Sequence, residues 1–339
     1  MDYKITFIIS FLLAFIATPI FRFIAIKLNV LDHPVSDVKT HKQSIPYFGG
    51  LAIAGAFFIT LILVRLTTSF PTGTLKSLRG IFYSGFIVLM LGLFDDIKYK
   101  GIHFSTKFLG EIIVAIIVIF YGIKINFITP EWFAIIITFI WIIGMINAFN
   151  IIDVIDGLSS GICLIATLFF FLLGSFGEEE IYVNYVSITL AGACLGFLPY
   201  NLSKKYKIFM GDTGSLFIGL IVSTIALGTK YSSNHNLGVL SPVIILFVPI
   251  YDTLLVSILR LKKGISPFLG SKDHFALRLE NVGLSRKQIL LISYFFGIIF
   301  GFVGYLIKTF VLELAIVIVF LWLMLVFIIS KFLVKINIE

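Results

Sequence analysis

Two carboxylates stand side by side in the segment LFDDIKYKG, residues 93–101, where a long apolar run ends. Asp95 and Asp96 would lie at the C-terminal end of a helix. The backbone dipole is negative there, so an anion costs about 0.3–1 kcal/mol. Close like charges add to that cost unless a cation lies between or near them. The plain reading is a solvated helix end with Lys98 and Lys100 as partners. The chemical reading is a pair that handles a metal or a phosphate.

Other stretches carry the same residue types. In NAFNIIDVIDGLSSG, residues 147–161, Asn147, Asn150, Asp153 and Asp156 fall at every third position. On an α-helix that spacing keeps all four on one side. At the edge of a bilayer such residues are costly unless they face a polar cavity. Asp156, just before Gly157, is also a fitting N-cap. MGDTGS, residues 210–215, precedes another apolar run, and its glycines let a backbone approach a ligand at a helix N-terminus. Asp212 or Thr213 would serve there as a plain cap, and no P-loop lysine follows. In STKFLGE, residues 105–111, Lys107 stands at a helix N-terminus, with Glu111 one turn deeper as its expected partner. Residues 260–288 hold seven basic side chains, among them Arg260 and Arg278, and His274 lies four residues before Arg278. An imidazole and a guanidinium on one helical face suit a diphosphate; contact with anionic lipid is the plainer role. Residues 32–50 set Lys39 and His41 ahead of a Pro–aromatic–Gly-Gly turn. Asp252, inside an apolar run, reads as structural.

The elements that position these residues are membrane helices. Of 339 residues 59% are hydrophobic and 13% charged, against about a quarter charged in soluble domains, and mean hydropathy is +1.08. Continuous apolar runs of spanning length argue for helices and against a barrel. We read an all-α polytopic membrane protein of about eleven transmembrane helices, near 3–28, 48–66, 78–94, 106–122, 131–146, 158–176, 183–200, 214–229, 239–260, 287–306 and 310–332. They form a single domain, 1–339, with cytoplasmic loops at about 29–47, 95–105, 147–157, 201–213 and 261–286. Nineteen of the 26 Lys and Arg fall on those loops, their helix ends and the C-terminal tail, which puts the N-terminus outside and the C-terminus in the cytoplasm. Nine of the ten aspartates fall on the same side. Acidic residues contribute little to topology, so their bias calls for another cause: a divalent cation with phosphates. Cys163 and Cys194 lie in apolar runs and read as small buried hydrophobes.

Taken in order, these stretches resemble the polyprenyl-phosphate N-acetylhexosamine-1-phosphate transferases. The likeness runs from about 32 to 288 through Lys39–His41, Pro46–Gly50, Asp95–Asp96, Lys107, Asn147–Gly157, Gly211–Ser215, Asp252 and Ser266–Arg278. It implies a bacterial cytoplasmic-membrane enzyme whose site faces the cytoplasm. The enzyme would move N-acetylhexosamine-1-phosphate, GlcNAc-1-phosphate foremost, from a UDP-sugar to undecaprenyl phosphate, releasing UMP and starting a cell-envelope glycan. It further implies Mg²⁺ or Mn²⁺ held by Asp212 with Asp96 and Asp153. Catalytic roles would fall to Asp95, Asp96, Asp153 and His274. Lys39, His41, Lys107, Asn147, Asn150, Asp156, Arg260 and Arg278 would bind substrate. Expected partners are the UDP-N-acetylhexosamine, undecaprenyl phosphate, membrane lipid and a second copy in a homodimer, with no nucleic acid.

Four positions depart from the family pattern. Val154 replaces a glycine, Glu111 replaces a glutamine, and Ala276 and Leu277 stand where glycan-initiating relatives often carry histidines. The His-rich run of the phospho-MurNAc-pentapeptide transferases is missing too, which favours a glycan-initiating enzyme over that alternative. An ion-coupled transporter would place its ionisable groups near the midplane of repeated halves, and no internal repeat is visible. A CDP-alcohol phosphatidyltransferase would need an arginine and further aspartates that DVIDGLSSG lacks.

Overall fold

A computed structural model of the chain describes residues 1–32, 44–98, 101–174, 181–231, 235–266 and 271–336. Thirteen α-helices run through them. They are α1 (Tyr3–Lys27), α2 (Gly49–Thr67), α3 (Thr72–Ile97), α4 (Phe104–Phe120), α5 (Glu131–Ile151), α6 (Leu158–Gly174), α7 (Ile181–Asn201), α8 (Gly211–Gly228), α9 (Ser241–Ile245), α10 (Phe247–Lys262), α11 (Phe275–Asn281), α12 (Arg286–Thr309) and α13 (Leu312–Lys335). A 3₁₀ turn, Asn236–Leu240, leads into α9. A short antiparallel ribbon pairs β1 (Leu31–Asp32) with β2 (Ile45–Pro46). Each apolar run picked out from the sequence is helical. Among the described residues eight helices are long and apolar enough to cross a membrane, or nine if the bent pair Asn236–Ile245 and Phe247–Lys262 is one span. Helices α4 and α6 have 17 residues each, at the lower end of spanning length.

The ninth run differs from its expected form. A continuous helix over 239–260 is expected, but α9 and α10 meet at a 73° bend around Leu246. The cause is Pro249. It has no N–H to donate to the carbonyl of Ile245, four residues back, and its ring crowds that carbonyl. Several helices outrun their expected C-terminal ends, and two of these extensions carry candidate site residues. Helix α3 continues through Asp95 and Asp96 to Ile97, and α5 continues to Ile151. Asn147 and Asn150 are therefore helical, while Asp153 and Asp156 lie in the turn that follows, so the four do not share one helix.

Helices α7 and α8 are buried over 89% and 83% of their spans, whereas α13 is 6% buried. Helices apolar all round belong at the centre of a bundle or in lipid, and both outcomes occur here. Helix α8 packs against α3 and α5, and α7 against α1 and α6. Close packing near the α8 N-terminus depends on glycines. A Cβ on Gly92 would stand 2.5 Å from the Asp212 carbonyl oxygen and the Thr213 nitrogen, and one on Gly50 would overlap the Gly214 backbone. Hydrogen bonds then strap the start of α2 to the approach to α8. Gly49 N donates to Phe209 O at 3.0 Å, Gly50 N to Met210 O at 2.9 Å, and Phe209 N to Pro46 O at 2.9 Å. Cys163 and Cys194 are buried free thiols.

Candidate active site

The end of α3 and the start of α8 meet on three carboxylates. Asp95, Asp96 and Asp212 each offer an oxygen, and the three oxygens lie within 4.8 Å of one another. Backbone donors hold two of the acids. Asp96 Oδ1 accepts from Asp212 N at 2.8 Å, and Asp96 Oδ2 accepts from Thr213 N at 3.0 Å and Thr213 Oγ1 at 2.5 Å. Asp96 thus caps the free N–H groups at the N-terminus of α8, where the dipole favours an anion. Its unfavourable place on α3 is offset by its place on α8. Gly211, at φ +69°, has its Cα against the Asp96 carboxylate, where a Cβ would overlap it. Asp95 Oδ1 accepts from Ile102 N at 2.8 Å, and Gly101, at φ +71°, turns the chain over it.

One lysine enters this cluster. Lys107, from the first turn of α4, forms an ion pair with Asp212, and its ammonium lies 3.5 Å from Asn150 Oδ1. Asn150 donates in turn to Asp212 Oδ1 at 3.0 Å and Ser215 Oγ at 2.9 Å. Glu111, the expected partner of Lys107, lies within its electrostatic reach and accepts its hydrogen bond from Asn147 Nδ2 at 2.6 Å. Three carboxylates against one lysine leave the cluster short of positive charge, and every offered donor is a hard oxygen. That donor set fits Mg²⁺ or Mn²⁺.

A cleft of about 250 Å³ opens beside the cluster. Asn150, Asp153, Asp156 and Asp212 line it, together with Val154, Leu277 and Arg286. Asp156 pairs with Lys207 at 2.5 Å. Gly157, at φ +81°, donates its N–H to Asn201 Oδ1 at 2.6 Å, and Tyr294 donates to its carbonyl at 2.6 Å. These bonds fix the turn that carries Asp153 and Asp156. Asp153 accepts no hydrogen bond among the described residues. Burial pushes its carboxyl well above the usual carboxylate range, and the nearby Asp156, Asp212 and Asp96 push the same way.

The loop after α10 forms a separate charged knot. His274 Nδ1 lies 2.8 Å from Asp252 Oδ2, and Asp252 Oδ1 accepts from Phe275 N at 2.8 Å. An ionised carboxylate only accepts, so Nδ1 carries the proton. Arg278 Nη2 donates to Asp273 Oδ1 at 2.7 Å. Arg278 Nη1 reaches the Leu333 carbonyl at 3.3 Å and bonds the Ile336 carbonyl as well. Lys263 completes the knot at 2.9 Å from Asp273. Burial works to raise the Asp273 carboxyl, but hydrogen bonds from Lys263 and Arg278 outweigh it and hold the group below its usual value.

The structure therefore brings Asp95, Asp96, Lys107, Asn150 and Asp212 into one cluster, with Asp153 and Asp156 along its cleft and Asn147 one step behind. It places His274 and Arg278 in the neighbouring knot, away from the cleft lining, and Arg260 is likewise buried outside that lining. Lys39 and His41 lie outside the described residues. Sequence reasoning missed Asn201, Lys207, Tyr47 and Arg286, which also line the cleft. Asn201 had a signal, a polar side chain at the end of an apolar run. Tyr47 was hidden in its turn, and burial followed by the Asp32 carboxylate pushes its phenol up.

Comparison with known proteins bears on this site. Residues 78–230, which contain the three acids, match the model of glycosyl transferase family 4. The chain is 35% identical over 94% of its length to a probable undecaprenyl-phosphate N-acetylglucosaminyl 1-phosphate transferase of Bacillus subtilis, covering 88% of that protein. It is 33% identical over 85% of its length to a decaprenyl-phosphate N-acetylglucosaminephosphotransferase of Mycolicibacterium smegmatis, covering 78% of it. A phospho-N-acetylmuramoyl-pentapeptide-transferase of Prochlorococcus marinus is 32% identical, with 71% of each chain covered. With nearly its whole length aligned to such relatives, the chain belongs to the polyprenyl-phosphate N-acetylhexosamine-1-phosphate transferases of glycosyl transferase family 4.

Proposed function

We propose that the protein transfers N-acetylglucosamine-1-phosphate from UDP-N-acetylglucosamine to undecaprenyl phosphate at the cytoplasmic face of the membrane, as the first step of a cell-envelope glycan. A phosphate oxygen of the lipid attacks the β-phosphorus of the nucleotide. The bond to the α-phosphate oxygen breaks, UMP leaves with that electron pair, and a sugar–diphospho–polyprenol forms. One diphosphate replaces another, so the step demands alignment and charge neutralisation more than covalent catalysis.

The carrying observation is the charge imbalance around Asp212. Asp95, Asp96 and Asp212 would hold Mg²⁺, which neutralises diphosphate oxygens when bound. Lys107 adds the cluster's own positive charge and, from its place beside Asp212, pairs with a phosphate oxygen. Asp95 faces the cluster from the end of α3 and orients the lipid phosphate. With a second phosphate pKa near 6, that group needs little deprotonation at neutral pH. Asn150 and Asp156 line the nucleotide side of the cleft. The membrane arrangement that goes with this reading has eleven spans, α4 and α6 among them, with the N-terminus outside. Its support is the excess of Lys and Arg on the loops at the acid-bearing end.

UMP release by the purified chain in detergent tests this reading, with undecaprenyl phosphate, Mg²⁺, and UDP-GlcNAc, UDP-GalNAc or UDP-MurNAc-pentapeptide in parallel. Release that needs the lipid, stops with EDTA and is fastest with UDP-GlcNAc is the expected result. Faster turnover of another donor would replace the assigned sugar. No release from folded protein would end the assignment.

A further inference from the structure

A second concavity lies at the opposite end of the bundle. It measures about 370 Å³ and runs between the last turns of α2 and the first turns of α3. Leu61, Leu66, Leu78 and Phe82 line it, and two arginines, Arg65 and Arg79, enter the same space. Neither guanidinium has a hydrogen-bond or ion-pair partner among the described residues. Arg65 lies sixteen residues along α2 from Gly49, and Arg79 sixteen residues along α3 before Asp95. Each is about 24 Å from the acidic layer at 1.5 Å per residue. The hydrocarbon core is about 30 Å thick. Both charges therefore reach the membrane near the far headgroup boundary, where long basic side chains direct their heads toward the interface.

We infer that this groove is a binding site for an anionic phospholipid of the leaflet opposite the active site. Arg65 and Arg79 hold the headgroup phosphate, and an acyl chain lies along the apolar trough. Two like charges converging on one concavity call for an anion, and guanidiniums pair with phosphate through paired N–H donors. A free anion would leave the trough of leucines and phenylalanine unexplained. A second copy of the chain on a two-fold axis through the groove would bring the same two arginines to face these. A lipid phosphate supplies charge and chain together.

The test uses the full chain in vesicles doped with a photoactivatable phosphatidylglycerol that carries a diazirine in its acyl chain. A matching phosphatidylcholine probe serves as reference, and labelled peptides are mapped. Phosphatidylglycerol is expected to label residues 61–83 about tenfold more than phosphatidylcholine. The R65Q/R79Q double variant should lose that difference, with labelling elsewhere and elution as a folded protein unchanged. Equal labelling of 61–83 by the two probes overturns the site, as does undiminished labelling in the double variant. Protection of 61–83 from both lipids in the native chain, together with a molecular mass twice that of one copy, assigns the groove to a second copy and also overturns it.

Discussion

Around Asp212 three carboxylates meet one lysine; around Asp252 and Asp273 two carboxylates meet Lys263, Arg278 and His274. Both groups sit on the inner side of the bundle in the proposed arrangement. The first is held by the backbone of α8 and by Asn150, which fix the acids without neutralising them. In the second, each acid has a cationic or donor partner, and Arg278 Nη1 donates to the carbonyls at the end of α13. An unbalanced cluster is built to receive charge from outside. A balanced one ties the loop after α10 to the C-terminal helix. On the proposed reading the difference separates a site from a brace, though both have the same residue types.

The sharpest break of this contrast is Asp212→Asn. It removes a carboxylate from the unbalanced cluster, and UMP release should fall by at least about 10³-fold, several kcal/mol of transition-state stabilisation, while the protein elutes as folded. Retention of most turnover would make the first cluster a brace as well. Next in size is Arg278→Ala, which leaves Asp273 with Lys263 as its remaining cation and the carbonyls at the end of α13 without their donor. Thermal unfolding in detergent should show a loss on the order of 3 kcal/mol, with turnover at permissive temperature changed little. A collapse of turnover in folded R278A protein would move the second group into the site. EDTA should stop native turnover, and Mg²⁺ should restore it, without the thermal shift that R278A causes.

The smallest expected effect is on acid stability. The Asp273 carboxyl titrates below its usual value in the folded chain. Its pairing therefore stabilises fully above the unfolded value of about 3.9, and that contribution is lost as pH falls through the lower folded value. Asp273→Asn should lower thermal stability at neutral pH and flatten its decline below about pH 4. An unchanged acid slope in D273N would show that other carboxylates set it.

Much of this was legible without coordinates. Every helix except α11, which lies within the stretch read as the 261–286 loop, was visible in an apolar run, and Asp95, Asp96, Asp212, Lys107 and Asn150 stood out because charge at a bilayer edge needs a cause. Less legible were the limits of elements. The bend at Leu246 follows from Pro249, yet the same proline is tolerated inside other membrane helices when neighbours take up the freed carbonyl. His274 and Arg278 carried a fair signal of phosphate chemistry, four residues apart on one face. Their partners, Asp252 and the end of α13, are 22 and 58 residues away, and no local pattern points to them.

The amino-acid sequence by itself determined that this is a helical membrane protein. Runs of about twenty apolar residues can satisfy their backbone in lipid only as helices. It also determined the family, because the acids, amides and glycines recur in one order along the chain. Only the tertiary structure decided which charges meet. Asp96 and Asp212 are 116 residues apart, and they are neighbours because Gly92, Gly211 and Gly50 let α2, α3 and α8 touch through their backbones. The convergence of Arg65 and Arg79 on one groove depends likewise on how α2 and α3 lie together. Helix formation is a local matter of hydrogen bonds and hydropathy. The meeting of side chains from distant segments depends on the distance and rotation between packed helices, which no single stretch of sequence contains.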